Sequence, residues 1–261
     1  MVWDFTEGLS NLSYVTIDEL GTADSYVSRL ENNILTFDWF PSLASGLGDN
    51  HQVAVVWSRY VLDSNLDRIY NLMLAVLNPD LENPVVIAPR QVTTNTEPYT
   101  TVSGVQMQDA SAFWVDSDTL WLIWKEQVAE TTTHIRAGLY NLGTGTWENG
   151  QLLYLAEGND LVYYSDPTLI GLGNGAILAF FSGINETEKT QEIYWAALGP
   201  LGVLKTRTLL DPLQGGSLDA AILADKVMLA WVTPDRGAVA YNLLGLTGSG
   251  SSIDLVTGDT Q

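Results

Sequence analysis

The sequence predicts an all-β fold of repeated four-stranded antiparallel units, and three observations carry that prediction. Short apolar runs ending in an aromatic recur along the chain: "VAVVW" (53–57), "LWLIW" (120–124), "ILAFF" (177–181) and "VMLAW" (227–231). Each is followed by a polar span and a second run, "IYNLML", "IRAGLY", "IYWAAL" or "AVAYNL". Upstream, "DASAFWVDSDTLWLIW" and "DPTLIGLGNGAILAFF" match closely, and Asp109 stands as far before Trp124 as Asp166 stands before Phe181. Runs this short, rich in β-branched and aromatic residues and bounded by turn formers, are buried strands rather than helices.

Taken in order, residues 1–50 hold "LSYVTID", "SYVSRL" and "ILTFDWF", the strands of an irregular first unit. The second unit, 51–105, carries Trp57 on its aromatic strand and closes with "PVVIA" at 84–88. The polar, Thr-rich stretch "RQVTTNTEPYTTVSGVQMQ" (90–108) is expected to be a long surface loop, the kind of segment that often bears function. In the third unit, 106–160, the turn Asp116-Ser117-Asp118 divides the first two strands, and "QLLYLA" (151–156) is the fourth. In the fourth, 161–212, Gly173-Asn174-Gly175 takes the place of that turn, an asparagine–glycine hairpin signal, and "LKTRTLL" is the last strand. The fifth, 213–261, repeats the pattern with a shorter turn in "SLDAAILADKVMLAW", puts Asp219 at the place of Asp109 and Asp166, and ends on "SSIDLV".

Units of about 50 residues that cannot bury both faces alone call for radial stacking, the arrangement of a β-propeller. Chain length over unit length gives five blades in one domain: four clear repeats plus the irregular N-terminal one. Over residues 34–257 the chain resembles the β-propeller superfamily, in its sialidase-like and five-bladed glycosidase-like forms, and "SDPTLIGLGNGAILAFF" is the line most like those blades. "YNLGTGTW" (140–147) is similar to the outer-strand turn of Kelch-like and sialidase-like blades, although it lacks the serine and aspartate of an Asp box. In such a fold Trp57, Trp124, Phe181 and Trp231 occupy second strands and supply burial between blades. Tryptophans outside that frame, Trp3, Trp147 and Trp195, are the candidates for stacking on a sugar.

Composition narrows the partners. The 261 residues include 31 acidic and 11 basic side chains, a formal net charge of −20. Such a surface repels nucleic acid and anionic membranes and suits neutral ligands such as sugars, cations or basic proteins. With no cysteine there is no disulfide, thiolate chemistry or Cys-type zinc site. The two histidines, His51 and His134, are too few for a multi-histidine metal site, and His134 reads as a half-buried structural residue. No apolar run reaches the ~20 residues of a membrane helix. The opening "MVWDFTEGLS" lacks a signal-peptide pattern, so synthesis in the cytoplasm without membrane insertion is expected.

The first strand of each blade lines the central channel, which brings Asp109, Asp166 and Asp219 to its mouth, with Asp38 as a counterpart in the earlier unit. Three readings stand side by side. A repeated aspartate can anchor backbone N–H groups. The three together could hold a hard cation such as Ca²⁺. Resemblance to arabinanase-type five-bladed glycosidases implies hydrolysis by paired carboxylates, with Asp109 and Asp166 as the catalytic candidates. No glutamate occupies a matching first-strand position, which leaves the general acid unassigned. The ligand-binding candidates are therefore Asp109, Asp166, Asp219, Trp147 and Trp195. The expected function is a non-catalytic binding or structural propeller without a resident cofactor. Its acidic, cysteine-free composition resembles propellers in tail and fibre proteins of bacterial or archaeal viruses, which implies a virion component joined to other proteins or presented to a cell-surface glycan. A five-bladed glycoside hydrolase and an intracellular protein-interaction propeller are the alternatives.

Overall fold

The computed structural model describes residues 3–6, 9–14, 28–30, 36–47, 51–100, 104–148, 152–159, 161–172, 176–223, 226–234, 238–248 and 253–257. It is an all-β molecule of five antiparallel sheets taken in chain order. The first holds β1 (Trp3–Thr6), β2 (Leu9–Tyr14) and β3 (Ser28–Arg29). The second is β4 (Thr36–Ser45), β5 (Val53–Leu62), β6 (Arg68–Leu77) and β7 (Val85–Gln91). The third is β8 (Gln106–Trp114), β9 (Thr119–Gln127) and β10 (Thr133–Asn141), with both β11 (Thr146–Trp147) and β12 (Leu153–Ala156) paired to β10. The fourth is β13 (Val162–Gly171), β14 (Ile177–Asn185), β15 (Thr190–Gly199) and β16 (Gly202–Gln214). The fifth is β17 (Gly216–Leu223), β18 (Lys226–Val232), β19 (Val239–Thr247) and β20 (Asp254–Thr257).

Each of the last four sheets runs as a meander, and their first strands pack in succession, β4 on β8, β8 on β13 and β13 on β17. This is the blade arrangement of a β-propeller. Trp57, Trp124, Phe181 and Trp231 all lie on second strands and are buried. The cores lie between sheets rather than within them. Val56, Leu72 and Leu74 of the second sheet pack with Trp114, Leu122 and Trp124 of the third. Trp121 and Ile123 pack with Phe181 and Leu198 of the fourth, and Phe180 and Trp195 with Leu229 and Trp231 of the fifth. Leu12 and Leu30 of the first sheet cover Val55, Trp57 and Met73 of the second. A strand between two such cores is apolar on both faces, which is why "VAVVW" and "LWLIW" read as continuous runs.

Indole N–H groups link neighbouring sheets. Trp114 donates to the Ala44 carbonyl at 2.9 Å, and Trp121 to that of Gly199 at 2.9 Å.

Two expectations shift. The second sheet takes its first strand from β4, so that unit begins at Thr36 rather than 51, and among the described residues the first sheet has three strands. The stretch from 90 is not simply a surface loop. Val92 and Thr93 are buried, and Thr93 Oγ1 accepts the Leu72 N–H at 2.9 Å while donating to Asn71 Oδ1 at 3.0 Å. The hairpin at 173–175 lies outside the described residues.

Candidate functional site

The site follows from one backbone feature. In each of the last four sheets the first strand carries a β-bulge, at Trp39/Ser42, Gln108/Ser111, Ser165/Thr168 and Gly216/Asp219. Within each bulge sits a non-glycine residue in the left-handed region: Phe40 (φ 50°), Asp109 (φ 50°), Asp166 (φ 55°) and Ser217 (φ 52°). Left-handed backbone is costly for L residues, and a bulge re-aims the side chain it carries. This non-glycine strain recurs at one register on consecutive inner strands, and strain of this kind clusters at functional sites.

This register places the predicted residues. Asp109 and Asp166 hold equivalent positions on adjacent strands. Asp219 does not: Ser217 occupies that position, and Asp219 lies two residues on, exposed, opposite Ala230. Asp38 precedes its bulge and is 4% exposed, clamped by Arg59 at 2.6 and 2.9 Å and by the Trp57 indole at 2.9 Å. Among the described residues no three His, Asp or Glu side chains form a group that could hold a metal ion, so the calcium reading of Asp109, Asp166 and Asp219 has no geometric support.

The two equivalent aspartates are held differently. Asp109 pairs with Lys125 Nζ at 2.7 Å, and both side chains remain partly exposed. Asp166 Oδ2 accepts the Ser165 and Ser182 hydroxyls at 3.0 Å each and, across the boundary to the fifth sheet, the Ser217 N–H at 2.9 Å. Asp166 therefore does what a backbone anchor would do, and Asp109 is tied to a cation.

Next to Asp109, whose neighbour Gln108 lines it, a small concavity opens between the second and third sheets. Its walls are aromatic, from Trp39 and Phe40 on β4, Tyr60 on β5 and Tyr70 on β6. Ser58, Arg68, Gln106 and Gln108 supply the polar lining. Trp39 and Phe40 are 43% and 45% exposed, unusual for such large apolar residues. The Arg68 guanidinium lies 5.1 Å from the Tyr60 ring centroid, and hydrogen bonding to Tyr70 holds its pKa up.

The predicted stacking tryptophans are elsewhere. Trp195 is 1% exposed in the core, beneath Lys205 Nζ at 4.5 Å, and offers no face to a ligand. Trp147 packs against Trp124 and Tyr140, and its ring lies where a β-carbon on Gly138 would stand, at 2.6 Å. Both serve packing. For Trp3 only the backbone, in β1, is described. The aromatic pair that is exposed, Trp39 and Phe40, was visible as "DWF", but nothing in the sequence set it apart from other strand aromatics.

A second polar cluster lies on β9, β10 and β12. Burial pushes the Glu126 carboxyl up, opposed by Arg136 and the Tyr154 hydroxyl. Burial pushes His134 down, and its Nδ1 accepts the Gly158 N–H at 3.0 Å, the half-buried structural role expected of it.

No protein-family model matches the chain, and comparison with curated proteins gives no match. Solved structures do resemble it. A thermostable family-43 glycoside hydrolase is 13% identical with a TM-score of 0.52, over 85% of this chain and 75% of that one. A GH43_1 enzyme from Xanthomonas citri complexed with xylotriose is 14% identical at 0.50, over 84% and 72%. A Hadza microbial sialidase is 10% identical at 0.58, over 90% of this chain and 51% of its own length. At these identities the likeness shows the fold, that of sialidase-like and glycosidase-like β-propellers.

Proposed function

We propose that the chain is a glycan-binding β-propeller whose site is the channel mouth, with the aromatic pocket as its principal subsite. The observation that carries this reading is the exposed Trp39–Phe40 pair, lining a concavity whose wall includes Gln108, the chain neighbour of Asp109. Sugar rings present C–H faces that suit aromatic walls, and the amides of Gln106 and Gln108 suit their hydroxyls. Solved propellers of like fold include a family-43 glycoside hydrolase and a microbial sialidase, which supports a carbohydrate ligand over the other chemistries open to an acidic surface. The expected place in a virus particle, and the alternative of an intracellular protein partner, rest on composition alone; no feature of this site bears on either.

Glycoside hydrolysis is the second reading, favoured by Asp109 and Asp166 sharing one register on neighbouring strands. Paired carboxylates can act as acid and as base or nucleophile. Here the other two bulge positions hold Phe40 and Ser217, so no further carboxylate stands at this register in the second and fifth sheets.

One experiment separates the readings: incubation with a panel of oligosaccharides, scoring binding by calorimetry and product release by chromatography. Binding that falls by roughly tenfold in Trp39→Ala, on the scale of a lost aromatic contact, without product release, supports the binding module. Release that vanishes in Asp166→Asn or Asp109→Asn makes the protein a hydrolase. Binding indifferent to Trp39→Ala overturns the pocket as the site.

A further inference from the structure

We propose that the aromatic pocket takes a carboxylated sugar, its carboxylate seated between Ser58 Oγ and the Arg68 guanidinium. This deepens the glycan-binding reading and rests on it.

The inference comes from comparing three gaps between sheets. The residue after each second-strand aromatic faces the gap ahead of its sheet. Ser58 shares the face of Ala54 and Val56, which pack with the third sheet. Lys125 shares that of Trp121 and Ile123, which pack with the fourth, and Ser182 that of Leu178 and Phe180, which pack with the fifth. In two of the gaps the bulge residue is an aspartate that satisfies its neighbour: Asp109 takes Lys125, and Asp166 takes the Ser182 hydroxyl. In the gap between the second and third sheets the bulge residue is Phe40, which offers no acceptor. Ser58 there is 2% exposed, and its Oγ has no hydrogen-bond partner among the described residues.

A buried hydroxyl left without a partner lowers stability, and native structures seldom tolerate one without a reason. Ser58 lines the pocket. The group that satisfies the equivalent side chains in the other gaps is a carboxylate, and here a ligand would have to bring it.

The remaining lining suits that carboxylate. Arg68 is the one charged residue among the eight described lining residues, in a chain with 31 acidic side chains against 11 basic. A guanidinium pairs with carboxylate through charge-assisted hydrogen bonds. Gln106 and Gln108 add amide donors, and Trp39 and Phe40 the faces on which a sugar ring rests. The net charge of −20 opposes an anion only at long range. At physiological salt that field is screened beyond about 8 Å, so the groups lining the pocket decide.

The test is isothermal titration calorimetry on the full chain. The probes are a uronic-acid trisaccharide, a sialylated trisaccharide and a neutral xylotriose. At least one acidic probe is expected to bind roughly tenfold or more tightly than the neutral one, as a charge-assisted contact implies, and which one does so identifies the sugar. Arg68→Met and Ser58→Ala are expected to erase that preference, so that the acidic probe binds each variant no more tightly than the neutral one does. Ser58→Ala should also keep or raise the melting temperature, because it removes an unpartnered buried hydroxyl; a purely structural serine would lower it. Equal affinity for acidic and neutral probes, or acidic binding untouched by both substitutions, overturns the carboxylate seat and leaves the glycan-binding reading standing. No binding of any probe overturns both.

Discussion

At the scale of single residues, Glu126 tests how burial sets charge in this molecule. Its carboxyl is pushed above its ordinary 4.5 because burial outweighs Arg136 and the Tyr154 hydroxyl. The folded chain therefore holds this proton at a pH where the unfolded chain has lost it. The stability gained from the protonated form is complete below about 4.5 and is lost as pH rises through the higher folded value. His134 runs the other way. Burial lowers its folded value below 6.5, so the stability of the neutral ring is complete above 6.5 and fades as pH falls through the folded value. Glu126→Gln keeps the shape and removes the buried charge, while Arg136 stays over the Tyr154 ring at 4.0 Å. The variant is expected to be more stable than the parent at pH 7, with the difference closing as pH approaches 4.5. Urea denaturation at several pH values measures this, and a difference independent of pH would mean that the Arg136 pairing, not desolvation, governs the site.

At the scale of elements, the four bulges explain why some of the site was legible in the sequence and some was not. The second strands were readable because burial on both faces demands unbroken apolar runs ending in Trp57, Trp124, Phe181 and Trp231. The bulge positions were not, because what they share is a left-handed backbone and not a residue type: Phe40, Asp109, Asp166 and Ser217 have no common chemistry. Counting from Asp109 and Asp166 led to Asp219, since a shorter hairpin between β17 and β18 makes sequence offset a poor guide to register. The orphan hydroxyl of Ser58 was invisible for a different reason, because its lack of a partner is a fact about Phe40 on another strand. Two substitutions test the bulge in the fourth and fifth sheets. Ser217→Gly keeps the N–H that Asp166 accepts and relieves a left-handed Cβ, at the cost of a freer unfolded chain, so stability should stay level or rise by up to about 1 kcal/mol. Asp166→Ala takes the acceptor from the Ser217 N–H, while the Ser182 hydroxyl keeps Ser165 as a partner, and should cost about 0.5–1.5 kcal/mol. Chemical denaturation compares the two; a loss on Ser217→Gly as large as that on Asp166→Ala would mean that the Ser217 side chain, rather than its backbone, holds the bulge.

At the scale of the whole molecule, stability resides between sheets, and this sets apart the two kinds of tryptophan. β5 and β9 are buried on both faces for most of their length, whereas β18 alternates buried and open positions, with Val232 and Val239 exposed on the fifth sheet. No sheet buries its own apolar surface, so a tryptophan in an inter-sheet core supports two blades at once. Trp124 is 0% exposed within the core that joins the second and third sheets. Trp124→Ala should cost about 3–5 kcal/mol through lost burial and the cavity left behind. For a chain of this size each kcal/mol shifts the melting temperature by about 2–4 °C, so a fall of roughly 10 °C is expected. Trp39, 43% exposed at the mouth, should lose far less, under about 1 kcal/mol and only a few degrees, while glycan affinity drops. Scanning calorimetry of both variants separates scaffold from surface. Equal losses would mean that Trp39 braces the sheets, and its exposed face would then no longer argue for a ligand.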